Sequence, residues 1–327
     1  MFKICVIGCG AMAKSGHGPA FRKYAAEHPD TELTACCDIK PEAAAAFAET
    51  FGFLRHYTDY REMLDAEKPD AVSLLSPVAL TSELAVSVLK LGYPLILEKP
   101  PGRNRREIEA ISEAAEAAGV SVRTAFNRRY TPLVQKLISL IGDEKIMNIT
   151  YEMYRRGRAE ADFSTTSIHA IDAVRHIAHS PYKHLSLTFQ ELPAAGKNVA
   201  NYYLSGEMES GAAVQLALVP MGGTICERIS VNTATASYFV TLPFWKNFDS
   251  PGTLVRVVGA EVTHRITGDT LVDSTEMFEE SGFYEENRGF FEHLRHGEPR
   301  CNDTLDAVQS VEIADCIRRR VPEYRKE

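Results

Sequence analysis

The sequence lacks any run of the roughly 18 apolar residues that a membrane-spanning helix needs. It also has no basic segment followed by an apolar one at its start, where Met1 leads directly into the strand-like FKICVIGCG. A cytoplasmic protein that does not engage a membrane is expected. Positive charge is short as well: 44 Asp and Glu against 36 Lys and Arg leave a formal charge of -8. Nucleic acid and anionic lipid both demand a basic face, so no nucleic acid is expected as a partner and small-molecule chemistry is. The seven cysteines are odd in number and include no C-x-x-C pair, which marks them as reduced core residues. His169, His176 and His179 stand close together, but no cysteine or acidic residue completes a ligand set, so no metal is expected. Low-complexity tracts and solenoid-length repeats are missing too.

What the chain does contain is length and alternation. At 327 residues it exceeds the usual size of one domain, and two are expected. Up to about residue 125, the apolar runs KICVIG, ELTACCD, AVSLLS, PLILEK and VSVRTAF, with a weaker LRHY, alternate with helical patterns. One such pattern carries Leu84, Val88 and Leu91, and another Ile108, Ile111, Ala115 and Ala118. Strands separated by helices of this length imply right-handed crossovers and a parallel sheet, that is, a doubly wound α/β domain over residues 1–125. From 126 to 327 the pattern changes to long strand-like runs near 146–155, 185–191, 199–205, 212–219, 225–232 and 236–242. Few helices interrupt them, which predicts an α+β domain on a large, open, mostly antiparallel sheet. Its uncovered face predicts a homodimer or homotetramer, and the closing helices near 284–296 and 304–320 are free to pack back on the first domain.

In KICVIGCGAMA a strand leads into Gly8, Gly10, Ala11, Met12 and Ala13, the form G-x-G-x-x-A. The first glycine permits a tight turn, the second lets the backbone approach a pyrophosphate, and the small Ala13 allows helix to pack closely on strand. The second strand ends at Asp38, about 30 residues after Gly8, farther than the ~20 usual for the ribose-binding acid because the first crossover is long. A carboxylate there accepts both ribose hydroxyls and repels a 2′-phosphate, so NAD is expected over NADP. The competing role for Asp38 is to cap the helix that follows.

LILEKPPG, residues 95–102, ends a buried strand with a lysine and then stops the ladder with two prolines. Ligands of a doubly wound sheet bind at the carboxyl ends of its strands, so Lys99 is a candidate to take or relay a proton while hydride leaves for nicotinamide. The competing reading is an exposed lysine on a turn.

GCGAMA, Asp38, EKPPG, AFNRRYTP, SIHAID and GFFEHLRHGEP, in that order, resemble the Gfo/Idh/MocA family of NAD(P)-dependent sugar and polyol oxidoreductases. The resemblance implies a Rossmann domain, a sheet domain that builds oligomers, and hydride transfer at a ring carbon of a sugar, polyol or derivative. It implies catalytic roles for Lys99 and His169, substrate contacts from Asp172 and from Arg128, with the neighbouring Arg129 as the alternative to Arg128, and cofactor contacts from Ser76, Pro77 and Glu98. Three departures stand out. Thr165 occupies the place of an aspartate four residues before the histidine; as a threonine it can hydrogen-bond substrate but carries no charge. Val78 and Thr81 replace polar residues of the loop after Pro77. Arg155, Arg156 and Arg158 follow the strand that lines the substrate pocket in relatives, and Arg156 and Arg158 are candidates to bind an anionic, sugar-like substrate; the competing and favoured reading is ordinary surface charge. Two other functions fit the same resemblance: an NAD-retaining glycosidase working by oxidation, elimination and reduction, and a non-catalytic NAD or sugar sensor.

Overall fold

Strands that are apolar on both faces belong in the middle of a sheet covered by helices on each side, and the first third of the chain builds one. The strands are β1 (Phe2–Ile7), β2 (Thr31–Cys37), β3 (Arg55–Tyr57), β4 (Ala71–Leu74), β5 (Leu95–Glu98) and β6 (Val122–Ala125). They pair in parallel in the order β3-β2-β1-β4-β5-β6. That is the doubly wound order, whose reversal between β1 and β4 opens a crevice at the carboxyl ends of those strands. The computed structural model describes residues 1–274 and 276–326 of the chain. Contacts divide it into two units, Met1–Asn127 with Phe283–Val308, and Arg128–Gly282 with the segment from Gln309 onward.

The covering helices of the first unit follow their apolar faces and caps. Helix Arg105–Ala118 buries Ile108, Ile111 and Ala115, begins at an Asn104 side chain that accepts the Glu107 N–H, and ends at a left-handed Gly119. Helix Val78–Lys90 buries Ala85, Val88 and Leu89, with Leu84 packed at its edge. Leu91, expected on that face, is the residue beyond the helix end and is exposed. The first crossover helix departs from regular geometry: Ala13–His17 forms a π-turn before the α-helix Gly18–Glu27. There Gly16 admits the Phe283 ring, which a Cβ would meet at 2.8 Å.

The second unit holds a nine-stranded sheet. Its strands are β7 (Ile146–Tyr154), β8 (Tyr182–Glu191), β9 (Ala200–Met208), β10 (Ala213–Val219), β11 (Cys226–Thr233), β12 (Ser237–Leu242), β13 (Thr253–Val258), β14 (Glu261–Thr267) and β15 (Glu323–Arg325). The order is β14-β13-β12-β11-β7-β10-β9-β8-β15. All neighbours are antiparallel except β7 and β10, which run parallel in the middle. The α/β unit and the mostly antiparallel sheet agree with expectation, while β13, β14 and β15 extend the sheet beyond the runs seen in the sequence. Alternation gives it a buried face, with Ile149, Tyr151 and Met153 on β7, and helix Ser164–Ala178 packs against β7 and β10.

Candidate functional site

The carboxyl ends of β1, β2, β4 and β5 carry the first group of candidate residues. Gly8 follows β1 with φ of +98°, and a Cβ on it would lie 2.5 Å from the Leu75 carbonyl oxygen, so two strand ends approach here as only glycine allows. The Gly8 N–H donates to the Cys37 carbonyl, and Leu75 N–H to that of Ile7. A Cβ on Gly10 would meet nothing within 4 Å, which leaves open space over the turn. Helical geometry begins at Ala11 and Met12 and passes into the Ala13–His17 π-turn, so the first N–H groups of the helix face that space. Asp38 directly follows β2; its Oδ2 accepts the Cys9 N–H at 2.9 Å and its Oδ1 the Lys40 N–H at 3.0 Å. Each oxygen keeps a lone pair for a further donor. Open space above Gly10, helical N–H groups and a fixed carboxylate suit a dinucleotide's pyrophosphate and ribose.

After β4, Ser76 Oγ and Thr81 Oγ1 are 3.0 Å apart, and Thr81 also reaches the carbonyls of Ser76 and Pro77. Thr81 is therefore buried and braces the loop, and Pro77 caps the helix from Val78. On β5, Leu95–Glu98 are buried and Lys99 is half-buried at the strand end. The Glu98 carboxylate, expected beside the cofactor, lies inside the unit with Oε1 3.0 Å from His17 Nε2. Burial pushes the Glu98 carboxyl up, but the His17 hydrogen bond and the charge of Lys99 outweigh it and hold Glu98 below the usual carboxylate range.

The second unit carries the other candidates. His169 and Asp172 are buried one turn apart on helix Ser164–Ala178, and half-buried Thr165 precedes His169 by one turn. Asp172 is clamped by Arg129, whose Nε reaches Oδ2 at 2.8 Å and whose Nη2 reaches Oδ1 at 2.6 Å. Ser310 Oγ adds a donor to Oδ1 at 3.4 Å. Arg128 lies in a buried cluster instead, with Nη2 2.6 Å from Glu227 Oε1 and its guanidinium carbon 3.9 Å from the Phe244 ring centre. Arg155 also pairs with Glu227, and the Tyr151 hydroxyl donates to Glu227 Oε2 at 2.5 Å. Burial pushes this carboxyl up, yet the charges of Arg128 and then Arg155 prevail and bring it to about 2. Arg156 and Arg158 are exposed beyond β7, and Arg158 pairs with Glu160 and donates to Thr166 Oγ1. Among the described residues no group of three or more His, Cys, Asp and Glu side chains is placed to hold a metal. All seven cysteines are free thiols, and among the described residues no helix is long and apolar enough to cross a membrane.

Sequence reasoning did not find His17, Asn287 or the Glu227 cluster. Their partners lie far away in the chain, so no spacing links them.

Residues 2–126 match the family model Gfo/Idh/MocA, described as an oxidoreductase family with an NAD-binding Rossmann fold. The match covers the first unit's parallel sheet, which resembles the Rossmann domain of that family. This region of the chain resembles D-glucoside 3-dehydrogenase of Escherichia coli (strain K12), 30% identical over 135 residues, or 41% of this chain and 37% of that protein. It also resembles the NADP(+)-linked scyllo-inositol 2-dehydrogenase of Bacillus subtilis (strain 168), 31% identical over 153 residues, 46% of each chain. The chain thus spans less than half the length of these curated relatives. Over nearly the whole length it shares the fold of levoglucosan dehydrogenase solved with NADH and levoglucosan, at a TM-score of 0.81 and 18% identity, with 99% of each chain covered. A Gfo/Idh/MocA family oxidoreductase from Vibrio cholerae has the same fold, at a TM-score of 0.80 and 21% identity, with 98% of each chain covered.

Proposed function

We propose that the protein is an NAD-dependent dehydrogenase that carries hydride between nicotinamide and a ring carbon of a sugar, polyol or sugar derivative. The observation that supports this most is Lys99, half-buried at the end of β5 in the sheet whose β1 turn and Asp38 suit a dinucleotide. Nicotinamide, when bound, supplies the hydride acceptor. Lys99 takes the proton of the substrate hydroxyl as the carbon–oxygen bond becomes a carbonyl. Gly8, Gly10 and the helix from Ala11 hold the pyrophosphate, and Asp38 takes the ribose and favours NAD over NADP by charge. The names of the matching relatives, glucoside and inositol dehydrogenases, support a substrate of that class.

Thr165 is proposed to meet the substrate as a neutral hydrogen-bonding group. The exposure of Arg156 and the pairing of Arg158 with Glu160 favour neutral sugars over acids. Exposed Tyr203 on β9 and Phe239 on β12 alternate with buried neighbours, so they lie on the sheet face away from the core and support a homodimer or homotetramer. Seven free thiols fit a cytoplasmic location. The test is a screen of neutral sugars, polyols, sugar acids and glycosides with NAD, read at the nicotinamide absorbance. Reduction of NAD by at least one neutral sugar or polyol is expected. Failure of every compound, with no NAD binding by calorimetry, overturns the proposal.

A further inference from the structure

His17 is fully buried, and neither the nucleotide turn nor the proton transfer uses it. It closes the Ala13–His17 π-turn, a feature often found at functional sites. Its Nε2 lies 3.0 Å from Glu98 Oε1 and its Nδ1 3.0 Å from the Asn287 amide nitrogen. Asn287 belongs to helix Phe283–Arg295 of the same unit, and the same amide nitrogen donates to the Phe283 carbonyl at 2.8 Å. A carbonyl can only accept, so this bond orients the Asn287 amide with its NH₂ toward His17. Nδ1 of His17 is therefore an acceptor, its single proton sits on Nε2, and a neutral imidazole donates to Glu98. The Phe283 ring meets the imidazole edge-on at 5.2 Å and holds it in this orientation.

A neutral donor fixes a carboxylate without cancelling its charge. The charge of Glu98 is then left to act on Lys99, the next residue. We propose that His17 and Asn287 are positioning residues for Lys99: they hold an ionised Glu98 beside the lysine, so that the ammonium formed when Lys99 takes the substrate's proton is stabilised. In that step the hydroxyl proton goes to the Lys99 nitrogen and the hydride to nicotinamide, leaving a carbonyl on the substrate. This inference rests on the dehydrogenase reading.

The experiment compares His17→Ala, His17→Gln, Asn287→Asp and Glu98→Gln with the unaltered protein. It measures NAD affinity by calorimetry, kcat and KM on the best substrate as a function of pH, thermal stability, and the rate at which an acetylating N-hydroxysuccinimide ester labels Lys99 near neutral pH, read by peptide mass spectrometry. His17→Ala and Glu98→Gln are expected to move the acid limb of the kcat–pH profile to lower pH and to lower its alkaline plateau, where Lys99 is already free amine, about three- to tenfold, with KM and NAD affinity within about threefold. Lys99 should label several-fold faster in both, because more of it is free amine once the neighbouring charge is lost. His17→Gln keeps an N–H for Glu98 and should restore both rates. Asn287→Asp changes almost no volume but gives Nδ1 an acceptor and forces a second proton onto the ring; its own charge balances that proton from the Nδ1 side of the ring, so the imidazolium offsets the Glu98 charge at Lys99 only in part. It should move both readouts in the direction of His17→Ala by a smaller amount, and Glu98→Gln decides the matter if His17→Ala does not fold. Unchanged labelling in Asn287→Asp and Glu98→Gln overturns the inference, as does a kcat loss that follows stability and is not rescued by His17→Gln. If no sugar is turned over but labelling responds as described, the dehydrogenase reading falls and the positioning role stands.

Discussion

Each unit buries a glutamate, and the two are held in opposite ways. In the second unit, Glu227 is fully buried between Arg128 and Arg155, with the Tyr151 hydroxyl on a third side. Three donors from fixed elements, two of them cationic, leave that carboxylate no freedom and bring it to about 2. In the first unit, Glu98 receives one neutral imidazole and has beside it a lysine at the open end of a strand. A carboxylate clamped by excess cations serves the fold, since its charge is spent locally. One held by a neutral donor keeps a charge that a neighbour can use.

The largest expected effect sharpens the poised side of this contrast. Lys99→Met should lower kcat by about 10²–10⁴ with NAD affinity and melting temperature nearly unchanged. Calorimetry, steady-state kinetics and thermal denaturation check it together. A Met variant that stays active but melts early would make Lys99 a structural residue and erase the difference between the two glutamates.

Next comes the clamp. Glu227→Gln strands two buried guanidinium groups and should cost about 3–5 kcal/mol of stability in denaturant titrations. The same clamp has a pH signature. Because folding lowers the Glu227 pKa from 4.5 to about 2, its contribution is complete above about 4.5 and is lost as pH falls toward 2. The unaltered protein should lose stability through that window more steeply than the Gln variant, as followed by circular dichroism. Parallel acid curves would show that Glu227 is not clamped.

A smaller effect belongs to Asp38, whose oxygens already hold the Cys9 and Lys40 N–H groups. Asp38→Ala should narrow the preference for NAD over NADP by about 1.5–3 kcal/mol, the range for hydrogen bonds to a charged group. Paired calorimetric titrations measure it, and an unmodified protein that prefers NADP would contradict the role.

Much of the first unit was legible because its signals are local. Apolar runs at helix spacing announce β1, β2, β4, β5 and β6, and Gly8, Gly10 and Ala13 lie within a single turn. β14 was not legible, since its side chains are mostly exposed and carry no alternation. The polar partners were hidden for another reason. Glu227 meets Arg128 across 99 residues and Arg155 across 72, and His17 meets Glu98 across 81 and Asn287 across 270. Periodicity tells which face of a strand is buried but not which polar group a fold will bring to it. Arg155, Arg156 and Arg158 show the consequence: adjacent in sequence and alike in charge, they divide into one buried structural partner of Glu227 and two exposed residues.

The smallest expected effect marks where the poised region ends. Five residues beyond Lys99, Asn104 accepts the Glu107 N–H at 3.1 Å, and the Glu107 carboxylate returns to the Arg103 N–H at 2.8 Å. This reciprocal cap starts the helix that buries Ile108 and Ile111. Asn104→Ala removes one half of the cap and should cost about 1 kcal/mol, seen as a lowered melting temperature. If the orientation of Lys99 is set on its other side, by Glu98 and His17, the cap variant should keep kcat within about twofold while losing that stability. A fall in kcat of tenfold or more would extend the poised region through the turn to the helix start, and the line between clamped and poised polar groups would then have to be drawn inside the helix rather than at Lys99.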